Sequence, residues 1–340
     1  MNDGPRFART ALALAALLAA AILMAVALGS VPLPTGGIVR SLLARVGLAS
    51  SDWSPTQETI LWTVRLPRVL LAAIVGGGLA VVGATLQAVF RNPMADSSLL
   101  GVGAGASLGA LIAVKLGFSA QVFLALPFFA FLGALVAVLA VYALAHAGGR
   151  PSLHGLLLTG LAVSALCGAG SSMLLVATEE FRVKIVLFWL AGGLEGRGWT
   201  HVQLAAAFVG TGTTLTFLLH RPLDLLSLGE EEAASLGLPV HAARIGILSL
   251  AALTAGAATA AAGGVPFVGL VAPHALRPIV GPLGRRLLPA SFLGGAALVV
   301  LADLAARTVS NHLDLPLGAL TAFVGAPYFL LALRNYEGRA

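Results

Sequence analysis

The chain reads as an all-α polytopic membrane protein, one transmembrane domain over residues 1–340 with about ten helices crossing a bilayer. Three observations predict this. Apolar runs of roughly 17 to 25 residues recur, the length a helix needs at ~1.5 Å per residue to cross a hydrocarbon core. The charged residues fall almost entirely between those runs. The composition, 58% hydrophobic against 10% charged with a mean hydropathy of +0.96, also lies outside the soluble globular range.

Apolar periodicity, punctuated by Gly, Pro and charge, predicts the spans in order. The first covers 11–30, behind Arg6 and Arg9; its apolar stretch exceeds the ~7 to 15 residues of a signal-peptide core, so an uncleaved span is expected. The longest polar loop then runs to 59. Spans follow at 66–90, 99–116, 122–146 and 153–178, with a mixed segment 179–197. The sixth is 201–219, the polar loop 221–244 follows, and 245–262 is the seventh. The eighth, 265–276, is short because Gly263, Gly264, Pro266 and Pro273 interrupt it. The last two are 287–306 and 317–333. Small residues at every fourth position, such as Gly101, Gly105 and Gly109, predict close helix packing in a compact bundle.

A net charge of +6 and a pI near 10.4 would suggest nucleic acid in a soluble chain. Here the arginines flank apolar spans, which points to membrane lipid and topology and to no nucleic-acid partner. Lys/Arg divide almost evenly between the two sides, so orientation is left open. Cys167 is the lone cysteine, which excludes a disulfide framework and a cysteine metal site; no metal site is expected. Lys115 and Lys184 are the only lysines, and neither completes a phosphate-cradling G-x-x-x-x-G-K-[ST] loop. No catalytic motif occurs. Gln87, Asp303 and His312 lie towards span ends, so the mid-span regions hold almost no ionisable group for ion coupling. Uphill transport would then need an energy source in another subunit.

The loop 221–244 predicts one short capped helix. Ser227 and Glu230 read as an S-x-x-E capping box, Glu230, Glu231 and Glu232 fill a first turn, Gly237 suits the position after the helix, and Pro239 follows. A solvated connector and a docking helix for a soluble partner both fit. Pro67 after Arg65, and Pro93 after Arg91 and Asn92, mark the start and end of the second span.

The chain resembles the FecCD-type permeases, membrane subunits of ABC importers for ferric siderophores, haem and cobalamin. The resemblance covers roughly 61–333 and rests on blocks in the family's order: RLPRVLLAAIVGGGLAVVGATLQAVFRNPMADSSLLGVGAGASLGA, FWLAGGLEGRGW, LDLLSLGEEEAASLGL, GGVPFVGLVAPHALR, LLPASFLGGAALVVLADLAART and LPLGALTAFVGAPYFL. It implies the type II ABC importer fold, a homodimer, two separate ABC ATPase subunits, and cytoplasmic N- and C-termini in a bacterial inner membrane. It further implies that ATP and Mg bind in the partner ATPase, with no cofactor and no enzyme activity in this chain.

By the same resemblance Gly229, Glu230, Ala233, Leu236 and Gly237 match the family's G-E-x-x-A-x-x-L-G and belong to the ATPase-docking helix, with Ser227 as its expected cap. Arg65, Arg68 and Arg307 would face a periplasmic substrate-binding protein, pairing with its glutamates. Asn92 and Met94 match a cytoplasmic gate; Leu153 and His154 match a second constriction more loosely. Met94 stands where Leu is usual, Ser97 and Ser98 where Pro often occurs, and the Gly192–Gly193 block is altered. The expected function is import of an iron chelate, haem or ferric siderophore, by ATP-driven alternating access. Cobalamin import is the alternative within the family, and an ATP-independent channel or carrier the alternative outside it.

Overall fold

The computed structural model describes residues 4–29, 31–45, 47–48, 50, 53–122, 124–146, 153–309 and 315–337, and among these the chain is helical with no strand. The order is α1 (Gly4–Ala27), α2 (Thr35–Arg45), α3 (Pro55–Thr59), α4 (Leu66–Val89), α5 (Val102–Lys115), the single turn α6 (Phe118–Gln121), α7 (Ala125–His146), α8 (Leu153–Val176) and α9 (Glu180–Leu190). Then come α10 (Trp199–Ala205), α11 (Thr211–Leu218), α12 (His220–Leu228), α13 (Glu230–Ser235), α14 (Val240–Ala262), α15 (Val268–Val280), α16 (Gly284–Thr308) and α17 (Leu317–Glu337).

Six described helices are long and apolar enough to span; Trp199–Leu218, at the predicted sixth span, bends by 61° into the loop helix His220–Leu228; and three shorter apolar helices are Val102–Lys115, Val268–Val280 and Leu317–Leu331. Together they match the predicted set. Three parts of the sequence reading are corrected. The loop to residue 59 folds into α2 and α3, and α3 continues through a π-helical turn, Ile60–Arg65, into α4. Ser54 opens that helix with a capping box to Gln57, which a reading centred on apolar runs passes over. The mixed segment becomes α9. The eighth span begins at Val268, after Phe267 in left-handed backbone, and continues past the predicted end to Val280 with Pro273 and Pro278 inside it.

Helix α4 is the axis of the bundle. It is apolar around its whole circumference and its span window is 83% buried, as expected of a helix packed on every side. It packs against α16, α14 and α15, while α5 packs between α7 and α8 and α1 lies on α16. Backbone proximity makes these contacts possible: a Cβ on Gly83 would collide with the Gly269 carbonyl, and one on Gly76 with the Gly295 carbonyl. Lipid gives no hydrophobic drive for helix association, so this close van der Waals approach holds the bundle.

At the end remote from α12 and α13, three separated glycine blocks are tied by backbone hydrogen bonds. Gly193 N–H donates to Ala262 O at 2.9 Å, Leu317 N–H to Gly192 O at 2.9 Å, and Gly318 N–H to Ala191 O at 3.1 Å. Gly192 has φ +75° and its missing Cβ leaves room for the Gly264 carbonyl. Both demands exclude a side chain there.

Candidate functional site

The loop between the sixth and seventh spans carries two helices rather than one. Apolar Leu223 and Leu226 are buried, so α12 continues onto the core through Ser227. Ser227 is therefore not a cap: its Oγ donates to Asp224 O at 2.7 Å inside α12. The residue before α13 is Gly229, at φ +140° and ψ 161°. Glu230, the other half of the expected capping box, instead receives a two-pronged bond from Arg244, Nη1 to Oε1 at 2.7 Å and Nη2 to Oε2 at 3.3 Å.

The far end of α13 follows the sequence reading. Gly237, at φ +83°, donates to Ala234 O at 2.9 Å, and Leu238 N–H donates to Ala233 O at 3.0 Å. This is a Schellman closure, which favours glycine at that position. Ala233 is fully buried and seats the helix, whereas Leu228 (58% exposed) and Leu236 (61% exposed) project outward beside the exposed acids Glu230, Glu231 and Glu232. A six-residue helix has no stability of its own in water. Its orientation is set by the Arg244 bridge, Ala233 and the Gly237 turn. The arrangement presents apolar knobs and negative charge on a rigid projection.

At the end of α4, Asn92 Oδ1 accepts from Met94 N–H at 2.9 Å, and both residues are half-buried. Asn92 thus shapes the turn that follows α4. Leu153 begins α8, but the side chains of Leu153 and His154, and all of His312, lie outside the described residues.

Arg65, Arg68 and Arg307 do meet at one end, as their assignment to a single surface requires, but their guanidinium groups turn inward. Arg65 is 4% exposed and its Nη1 donates to Val26 O at 2.6 Å and Ala27 O at 2.9 Å, with Nη2 on Val31 O. Arg68 Nε lies 3.0 Å from Asp303 Oδ1 and 3.1 Å from Oδ2. Arg307 Nε lies 3.3 Å from Asp303 Oδ2, and its Nη2 donates to Ala25 O. Arg65 and Arg307 therefore satisfy orphan carbonyls at the C-terminus of α1, where the helix dipole favours cations. Asp303, 1% exposed, is the shared counter-ion of Arg68 and Arg307. The cluster holds more positive than negative charge.

Two residues central to these networks were not singled out from sequence. Arg244 sits one turn into an apolar helix and reads as a loop boundary. Arg277 donates through Nη2 to Gln87 Oε1 at 2.8 Å, while Gln87 Nε2 donates to Gly269 O at 3.2 Å, so one carboxamide bridges both ends of α15. Only the spacing of long-range partners could have revealed either.

Residues 17–335 match the model of the FecCD transport family. The chain is 40% identical over 92% of its length, and 84% of the relative's, to a cobalamin import system permease protein, BtuC, of Halobacterium salinarum. It is 39% identical, over 85% of this chain and 88% of the relative, to the hemin transport system permease protein HmuU of Yersinia pestis. It is also 39% identical, over 93% and 95%, to the Fe(3+) dicitrate permease FecD of Escherichia coli. A solved inward-facing metal-chelate type ABC transporter superposes with a TM-score of 0.84 at 29% identity, covering 96% of this chain and 99% of that one. On its helical order, its seated α13 and these matches, the chain belongs to the FecCD transport family.

Proposed function

We propose that this chain is the permease subunit of a binding-protein-dependent ABC importer, working as a homodimer on two separate ATPase subunits. Its cargo is an iron chelate, haem or a ferric siderophore, carried from periplasm to cytoplasm across a bacterial inner membrane with both termini cytoplasmic. Cobalamin is the second reading, favoured by the 40% identity to a cobalamin permease. The carrying observation is α13: a short helix locked by Arg244, Ala233 and Gly237 that projects Leu236 and three glutamates from the bundle.

A soluble ATPase with an apolar groove rimmed by basic residues fits that projection. ATP and Mg bind in that partner, this chain performs no covalent chemistry, and closure of the ATPase pair moves α13 to switch access. The exposed side of α8, with Leu158, Leu161, Leu166 and Met173 uncovered, supplies a face for the second copy. Asn92 and Met94 narrow the pathway at the ATPase side.

The inward packing of Arg65, Arg68 and Arg307 favours a long-range role towards the substrate-binding protein: their excess charge steers acidic lobes to this end. Reconstitution in liposomes, with and without the ATPase and binding protein, tests the whole reading. Haem or ferric-siderophore uptake should require all components and nucleotide. Equal uptake without nucleotide refutes it in favour of a channel or carrier.

A further inference from the structure

Beneath α12, where α4 ends and α15 gives way to α16, lies an open cavity of about 560 Å³. Its polar wall includes Gln87, Arg91, Asp224, His274 and Arg277. Arg277 donates to the neutral Gln87 carboxamide rather than to a carboxylate. Arg91 has left-handed backbone, φ +48°, which turns the chain so that its guanidinium lies beside Gly229. His274 packs edge-on against Tyr328, with ring centroids 5.9 Å apart.

Two acids stand nearby, and each has another task. Asp224 accepts the Gly284 N–H at 2.6 Å, and Glu232 turns back over Gly229 at the rim. Both arginines line a space too large for one side chain. Its volume lies within the roughly 300–1,000 Å³ of small-molecule sites, and a single carboxylate from a docked protein would leave most of it empty. Next in sequence to the lining residues Pro278 and Pro282, Ile279 (58% exposed) and Leu283 (52% exposed) present bare apolar side chains. Exposed Arg285 follows them. Cationic donors in a pocket next to an uncovered apolar strip match a molecule with a phosphate at one end and hydrocarbon at the other.

We propose that this cavity binds the headgroup of an acidic phospholipid, its phosphate held by Arg91 and Arg277 and its acyl chains lying against Ile279 and Leu283. Basic pockets between span ends are suited to such headgroups. The bound lipid would brace α12 against α4 and α16, the elements that carry the α13 projection.

The test uses the full-length protein, delipidated in detergent and offered phosphatidylglycerol, phosphatidylcholine or inorganic phosphate, with retained lipid counted by native mass spectrometry. Phosphatidylglycerol should remain bound and phosphatidylcholine should wash away. Arg91→Gln should lower phosphatidylglycerol affinity about fivefold, and Arg91→Gln with Arg277→Gln by the product of two such factors. Arg6→Gln with Arg9→Gln, on α1, should leave it unchanged. Because Arg91 is exposed, Arg91→Gln keeps the question answerable if the double variant fails to fold. Equal retention of both lipids, undiminished retention by Arg91→Gln, or displacement of the lipid by millimolar inorganic phosphate would each overturn the assignment.

Discussion

Glu230→Ala tests the central element, because the bond it removes is what orients α13. The Arg244 side chain is 9% exposed and its two bonds to Glu230 span 2.7 and 3.3 Å, whereas the Glu230 side chain is 48% exposed. A hydrogen bond to a charged group is worth about 1.5–3 kcal/mol net, and the half-exposed partner places this one near the lower end, about 1.5–2 kcal/mol. At about 1.4 kcal/mol per factor of ten, loss of the bridge lowers the ratio of seated to unseated α13 by about 10- to 30-fold. If only the seated form docks, the apparent Kd for the ATPase rises by up to that factor.

The assay is titration of the purified ATPase onto the detergent-solubilised permease, for wild type, Glu230→Ala, Arg244→Ala and the double variant. Positioning through the bridge predicts that both single variants weaken docking and that the double variant is no worse than either. Direct contact of Glu230 with the ATPase predicts instead that Arg244→Ala keeps normal affinity. That result, or full additivity in the double variant, would refute the positioning argument.

Asp303→Ala leaves the part-buried Arg68 and Arg307 without their carboxylate and should cost about 3 kcal/mol, the lower end for a broken buried pair, read by denaturation in detergent; a change under about 0.5 kcal/mol would exclude Asp303 as the hub. Gly83→Ala drives a methyl group into the Gly269 carbonyl, and overpacking of about 1–3 kcal/mol should lower the thermal midpoint. Burial raises the Asp224 pKa, outweighing the Gly284 N–H and His220, so its charged form is disfavoured in the folded state. Wild type should therefore lose stability relative to Asp224→Asn as pH rises from the usual carboxylate range through the raised value, and a pH-independent gap between them would contradict this. Arg307→Gln should slow association of the substrate-binding protein most at low salt, where screening is weakest, and an unchanged on-rate would remove the cluster from that role.

How α13 was legible differs from one residue to the next. Gly237 could be read because its requirement is local: a helix end in left-handed backbone needs glycine whatever surrounds it. The Ser227 and Glu230 pattern misled because S-x-x-E fits both a helix start and the interior of a helix that continues. The choice was made by Leu223 and Leu226, which bury only against the rest of the bundle. Asp303 was visible as a carboxylate near a span end, but its link to Arg68 joins positions 235 residues apart, beyond any periodicity.

The order and number of spans, the absence of a phosphate loop and the place of the projecting helix were determined by the sequence alone. These follow from properties that act within a turn or a run of some twenty residues: apolar length, helix punctuation and backbone freedom at glycine. Tertiary structure decided which arginines are buried, what α13 leans on, and that Gln87 and Arg277 share a cavity wall with Arg91. Those outcomes depend on which helices touch, and that is set by close packing of small residues between helices, summed over contacts that no local pattern encodes.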